Sequence, residues 1–162
     1  MALPDPASAR AKPYLTLDLP DEAATIALGR RLAGAARPGD VILLEGQIGA
    51  GKSSLARAFI RARLGRTEDV PSPSFTLVQV YDAPDGPVWH ADLYRLTHPD
   101  EVWELGLDEA FGTAICLVEW PDRLGRHQPP DALRLRLDLS GEGRTAQLTG
   151  GRSGLLTAAG NG

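Results

Sequence analysis

A chain of 162 residues with 43% apolar content and a formal net charge of −4 has enough material for one domain with a real core. No run approaches the ~18 consecutive apolar residues of a membrane helix, and the negative charge argues against autonomous binding to nucleic acid, which calls for a basic footprint. The opening MALPDPASARAKPY lacks the apolar core of a secretion signal, and a lone Cys116 cannot form an internal disulfide, so a cytoplasmic protein is expected.

Residues 1–13 are rich in Pro and Ala and read as a flexible tail. Tyr14 to Leu19 alternates like a half-buried strand. Pro20, Asp21 and Glu22 supply a helix start, and Ala24, Leu28, Leu32 and Ala35 form its inward stripe. Val41 to Glu45 is an apolar run of the kind buried on both faces of a sheet. A helix is expected from about Lys52 to Leu64, with Leu55, Ala58, Phe59 and Ala62 toward the sheet. Arg57, Arg61, Arg63 and Arg66 read first as a solvated face of that helix, with phosphates or an acidic partner as the alternative.

Val70 to Phe75 is a proline-stiffened loop. Strands over Thr76–Tyr81 and Val88–Leu93 flank Asp82-Ala-Pro-Asp-Gly-Pro87, a hairpin turn. Helical pieces near Pro99–Leu105 and Leu107–Phe111 precede the apolar strand Ile115–Val118, which closes on Glu119-Trp120-Pro121. Leu133, Leu135, Leu137 and Leu139 alternate with polar residues, and Thr145–Leu148 can pair back as a late hairpin. Residues 151–162 look frayed. The expectation is one α/β layer domain over residues 14–150 with a tail at each end.

Gly46, Gly51, Lys52 and Ser53 satisfy G-x-x-x-x-G-K-[ST] between a strand and a helix. Glycines let the backbone bring its N–H groups against phosphate oxygens, and the helix N-terminus adds free N–H groups and a positive dipole end. The lysine reaches the β- and γ-phosphates, and the Ser53 hydroxyl can ligate Mg²⁺. Only Lys12 and Lys52 are lysines against fifteen arginines, so the compact ammonium stands where a phosphate loop needs it.

A metal needs an acidic partner at a nearby strand end. Glu119 and Asp92 both qualify, one to hold the ion and the other to orient a water, and the sequence does not divide the two roles. Ser72-Pro73-Ser74-Phe75-Thr76 lies where nucleotide switches carry a hydroxyl that senses the γ-phosphate. Guanine recognition through N-K-x-D is excluded, because Asn161 is the sole asparagine. Leu139-Ser-Gly-Glu-Gly echoes a transporter signature but ends a β-like run, so it reads as a turn.

The segments GQIGAGKSS, SPSFTLVQVY, HADLYRL, ELGLDEAF and LVEWPDRL occur in one order over roughly Leu17 to Arg144. That series resembles the bacterial TsaE (YjeE) family of tRNA threonylcarbamoyladenosine biosynthesis ATPases. The resemblance implies a three-layer P-loop NTPase fold whose mixed central sheet includes antiparallel strands, with ATP and Mg²⁺ as cofactors. It implies hydrolysis coupled to a TsaB–TsaD complex that modifies the adenosine beside the anticodon, with tRNA met only through that complex and no membrane involved. The transfer itself would lie elsewhere.

Carried onto this chain, the nucleotide loop covers Gly46, Gln47, Ile48, Gly49, Ala50, Gly51, Lys52, Ser53 and Ser54. The magnesium ligands fall on Ser53 and Glu119, the switch hydroxyl on Ser74, the strand-end acid on Asp92, and the following tryptophan on Trp120. Glu22 and Arg144 fall near positions at the nucleotide's outer edge. The family usually has Asp at Gln47 and Thr at Ser53 and Ser74; the serines keep the hydroxyl, and the lost charge at Gln47 bears on partner contacts. No arginine finger in cis is evident, so slow hydrolysis alone and stimulation by TsaB–TsaD are expected. A small-molecule phosphotransferase and a non-catalytic nucleotide sensor remain as alternatives.

Overall fold

The computed structural model describes residues 15–161; the expected N-terminal tail and Tyr14 lie outside them. β1 (Leu15–Leu19) leads into α1 (Glu22–Ala35), whose start is capped as its sequence requires: the Asp21 carboxylate accepts from the Ala24 N–H at 2.9 Å. β2 (Val41–Glu45) is buried along four of its five residues and enters the loop before α2 (Lys52–Leu64). β3 (Val78–Ala83) and β4 (Gly86–Asp92) form a hairpin, with Ala83 opposite Gly86, and the Pro-Asp-Gly cluster makes its turn.

Two short helices, α3 (Glu101–Leu105) and α4 (Leu107–Thr113), precede β5 (Ile115–Glu119), and a 3₁₀ segment, Pro121–His127, follows it. β6 (Leu133–Ser140) and β7 (Gly143–Gly150) turn tightly at Gly141-Glu142, so the Leu-Ser-Gly-Glu-Gly run is a turn, as its alternating approach indicated.

The seven strands lie in the order β1-β7-β6-β2-β5-β4-β3. β6, β2, β5 and β4 run parallel in the centre, and antiparallel partners close both sides. Alternation sends Ile42, Leu44 and Leu117 to one face, packed under α1 and α2 with Leu28, Leu55 and Phe59. Val41, Leu43, Cys116 and Val118 pack on the other face with Leu107 and Leu124. Helices on both faces cover the parallel strands, which explains why β2 and β5 carry almost no polar residue. A Cβ on Gly29 would stand 2.7 Å from the Leu55 carbonyl oxygen, so only glycine lets α1 cross this close to α2.

Three expectations are corrected. The inward face of α2 is Leu55, Ala56, Phe59 and Ile60, with Ala58 toward α1; Ala62 is exposed, because the crossing of α1 at Gly29 sets which side of α2 is covered, and Leu64 continues the buried side. β3 begins at Val78, two residues late, because the proline loop continues through a left-handed Leu77 (φ 67°). Residues 153–160 are a helix, α5 (Ser153–Gly160), with Leu155 and Ala159 buried against the core. Arg152 anchors it through paired bonds to Asp40 at 2.9 and 3.2 Å, and Arg31 donates to the Ala159 carbonyl. The small-residue run GLLTAAG is apolar enough to dock, which outweighs its glycine-rich flanks.

Candidate functional site

The parallel register of β4 and β5 sets Asp92 beside Glu119. Both end their strands on the face covered by α2, so two carboxylates from distant segments meet the loop that follows β2. They are buried, Asp92 at 7% and Glu119 at 2% exposure, where a bare charge is costly without hydrogen-bond partners.

Their partners divide them. Ser53 Oγ donates to Glu119 Oε1 at 3.4 Å. Asp92 accepts from Ser74 Oγ at 3.3 Å and Ser72 Oγ at 3.4 Å, while its other oxygen accepts the Tyr94 N–H at 3.1 Å. The Ser72 and Ser74 hydroxyls are also 2.9 Å apart. The proline loop is tied to the same strand end: Leu77 N–H donates to Pro73, and Asp92 N–H donates to Leu77 at 2.9 Å. The left-handed conformation of Leu77 costs about 1–3 kcal/mol and serves to bring Ser72 and Ser74 to the aspartate.

Lys52 is only 5% exposed. Its ammonium donates to the Gly46 carbonyl and to the Gln47 carbonyl at 3.0 Å, and it lies 4.4 Å from the centre of the Trp120 ring. Burial holds its pKa below the usual lysine value, and the Glu119 and Asp92 charges offset that only in part. Trp120 is itself left-handed (φ 58°), a second strained residue that turns the chain from β5 so that the indole lies by the lysine and 5.0 Å from the Tyr94 ring.

Glu22 accepts from Ser54 Oγ at 3.2 Å, so the start of α1 meets the start of α2. From β7, Arg144 donates to the Ala50 carbonyl at 2.9 Å and the Gly49 carbonyl at 3.1 Å, bracing the loop. Gly46 (φ 141°) passes so close to the Leu137 carbonyl that a side chain there is excluded. Gln47 and Ile48 point to solvent, and Ala50 is buried beneath the loop.

These groups surround one cavity of about 570 Å³, large enough for a nucleotide. Lys52, Ser53, Ser74, Asp92, Glu119 and Trp120 line it, as do Glu22, Ser54 and Arg144 from its edges. The structure thus brings the hydroxyl, carboxylate and lysine groups singled out in the sequence to one place, while Gln47 and Ala50 of the loop stay outside the cavity lining. Arg57 and Arg95 also line it, so arginines are present in cis. Arg57 donates to the Ser53 carbonyl at 3.3 Å, and Arg95 lies 4.8 Å from the Phe75 ring.

His90 was missed in the sequence as a functional residue. It is 1% exposed, and its Nε2 lies 2.7 Å from Glu119 Oε2. Its Nδ1 has no hydrogen-bond partner among the described residues. The signal was present as His-x-Asp on an alternating strand, which puts the ring on the same face as Asp92.

A parallel-centred sheet, a glycine-rich turn from β2 into α2, and paired acids at the ends of adjacent strands define a P-loop fold. Residues 19–147 match the family model described as threonylcarbamoyl adenosine biosynthesis protein TsaE, and the chain belongs to that family.

Similar proteins named tRNA threonylcarbamoyladenosine biosynthesis protein TsaE include one from Bacillus subtilis, 40% identical over 73% of this chain and 73% of its own. Another, from Rickettsia felis, is 34% identical over 79% and 75%. One from Haemophilus influenzae is 31% identical over 83% and 88%. The crystal structure of Bacillus subtilis YdiB is similar in fold, with a TM-score of 0.69 and 29% identity over 89% of this chain and 90% of that one. Among the described residues no helix is long and apolar enough to cross a membrane.

Proposed function

We propose that this chain binds and hydrolyses ATP with Mg²⁺, and that its nucleotide cycle acts on a TsaB–TsaD complex that installs threonylcarbamoyl on tRNA adenosine beside the anticodon. The observation that carries the reading is the meeting of Lys52, Ser53, Asp92 and Glu119 at one cavity. Hydroxyl and carboxylate oxygens are the donor set of a small hard cation, and the Ser53–Glu119 contact supplies one of each. Ser53 and Glu119 would hold magnesium, whose role is to draw charge from the β- and γ-phosphates.

The chain's own groups supply the rest. The N–H groups at the start of α2 bind phosphate oxygens. Lys52 exchanges its two loop carbonyls for the phosphates, whose negative charge offsets the cost of its burial. Asp92 accepts a proton from the water that attacks the γ-phosphorus as the bond to the bridging oxygen breaks, and Ser74 stands beside it to sense the γ-phosphate. His90 holds the Glu119 carboxylate in one orientation.

The test is an ATPase assay with and without TsaB–TsaD, on the parent and on Glu119→Gln. A slow basal rate, stimulation by the complex and a loss of about 100-fold or more in the variant with ATP still bound are expected. Unchanged rates with the complex, together with unchanged tRNA modification, would reject the reading.

A further inference from the structure

A second cavity, of about 420 Å³, lies on the outer side of α1 and α2 and shares Glu22, Ser54 and Arg57 with the nucleotide cavity. Its rim carries Arg30, Arg57, Arg61 and Arg66. Ile26, Ala58 and Ala62 line the cavity as well. Ala62 faces this groove instead of the sheet, which accounts for an exposed alanine at that turn of α2.

The charge balance is local and opposite to that of the whole chain. Four arginines line the groove against one carboxylate, Glu22, in a protein of net charge −4. Among the described residues Arg66 pairs with Glu68, while Arg30, Arg57 and Arg61 have no carboxylate within ion-pair distance. Arg61 spends its Nε on the Glu68 carbonyl at 2.9 Å, which leaves the other guanidinium nitrogens for a partner. Long cationic side chains around small apolar ones suit a ligand that is acidic at its edges and apolar in the middle. None of the groove's lining residues is aromatic, so the stacking platforms of a single-stranded nucleic acid site are not among them.

We propose that this groove docks an acidic, partly apolar protein segment of the TsaB–TsaD complex, which rests on the partner reading above. Charge complementarity selects the occupant, and the shared wall gives it a route to the nucleotide. Arg57 belongs to both cavities and donates to the carbonyl of Ser53, so a carboxylate that draws its guanidinium into the groove pulls on the start of α2. The groove is thereby a docking surface next to the site it would stimulate.

The test uses Arg30→Glu/Arg66→Glu, two exposed positions away from the phosphate loop, in the full chain. Affinity for TsaB–TsaD is measured by interferometry at two salt concentrations, beside ATP affinity and melting temperature. The expected result is complex binding weakened about tenfold or more, with ATP affinity and melting temperature unchanged and parent binding that falls with salt. Complex binding equal to the parent's, or parent binding indifferent to salt, would overturn the assignment. So would a variant that loses binding of labelled tRNA while holding the complex as before, since the occupant would then be RNA. No binding and no stimulated hydrolysis with the parent itself would instead remove the partner reading, and the groove's occupant with it.

Discussion

Replacing Lys52 with Met removes one charge, and the ammonium's contact with the Trp120 ring, while keeping an unbranched side chain, so affinity and stability can be separated. At rest the ammonium is satisfied by two loop carbonyls, and nucleotide binding exchanges these for phosphate. The net loss is therefore that of a charge-assisted hydrogen bond, about 1.5–3 kcal/mol, or about 10- to 150-fold in ATP affinity.

The resting fold should respond in the opposite sense. Burial lowers the Lys52 pKa, so the charged form is worse off in the folded chain than in water. That burden is full wherever both states are protonated. It is relieved as pH rises through the folded value toward the ordinary 10.5, where the unfolded chain still holds the proton. Without nucleotide, Lys52→Met should be at least as stable as the parent at pH 7, and any advantage should shrink toward pH 10. Calorimetric titration with ATP and urea denaturation at several pH values measure the two effects. An ATP affinity within threefold of the parent's, or a less stable variant at pH 7, would refute the reasoning.

His90→Ala leaves the buried Glu119 carboxylate short of its 2.7 Å partner, so a stability loss of about 1–3 kcal/mol or more is expected by urea denaturation; no loss would mean that the pair carries nothing. Leu155→Ala should cost about 2–4 kcal/mol, because the side chain is 1% exposed between α5 and the core, whereas a loose C-terminal tail would show no change. Cys116 is buried and its thiol is pushed up to about 12, so the native protein should not react with a disulfide reagent at pH 8 and the urea-unfolded chain should. Rapid labelling of the native protein would contradict that.

The phosphate loop was legible because its chemistry is local. Gly46, Gly51, Lys52 and Ser53 must stand at fixed spacing within eight residues for backbone N–H groups, a helix end and two side chains to converge, so the spacing carries the geometry. The span of α2 is legible for the same reason: Lys52 follows the glycine turn and Gly65 stops the helix in a left-handed cap. The direction of its buried face is not, since whether Ala62 or Ile60 points inward depends on how α1 crosses over Gly29.

The amino-acid sequence by itself determined the strand–loop–helix unit, the hairpins at Asp82–Pro87 and Ser140–Gly143, and which acids end apolar strands. Tertiary structure alone decided that Asp92 and Glu119 stand side by side, because strand register is a long-range property set by sheet packing. It also decided that Asp92 belongs with Ser72 and Ser74 and Glu119 with Ser53 and His90, a division of partners that spacing along the chain does not encode. The last helix followed the same rule. Residues 153–160 are too few and too glycine-flanked to signal a helix alone, and they become one by burying Leu155 and Ala159 on a surface built by distant segments.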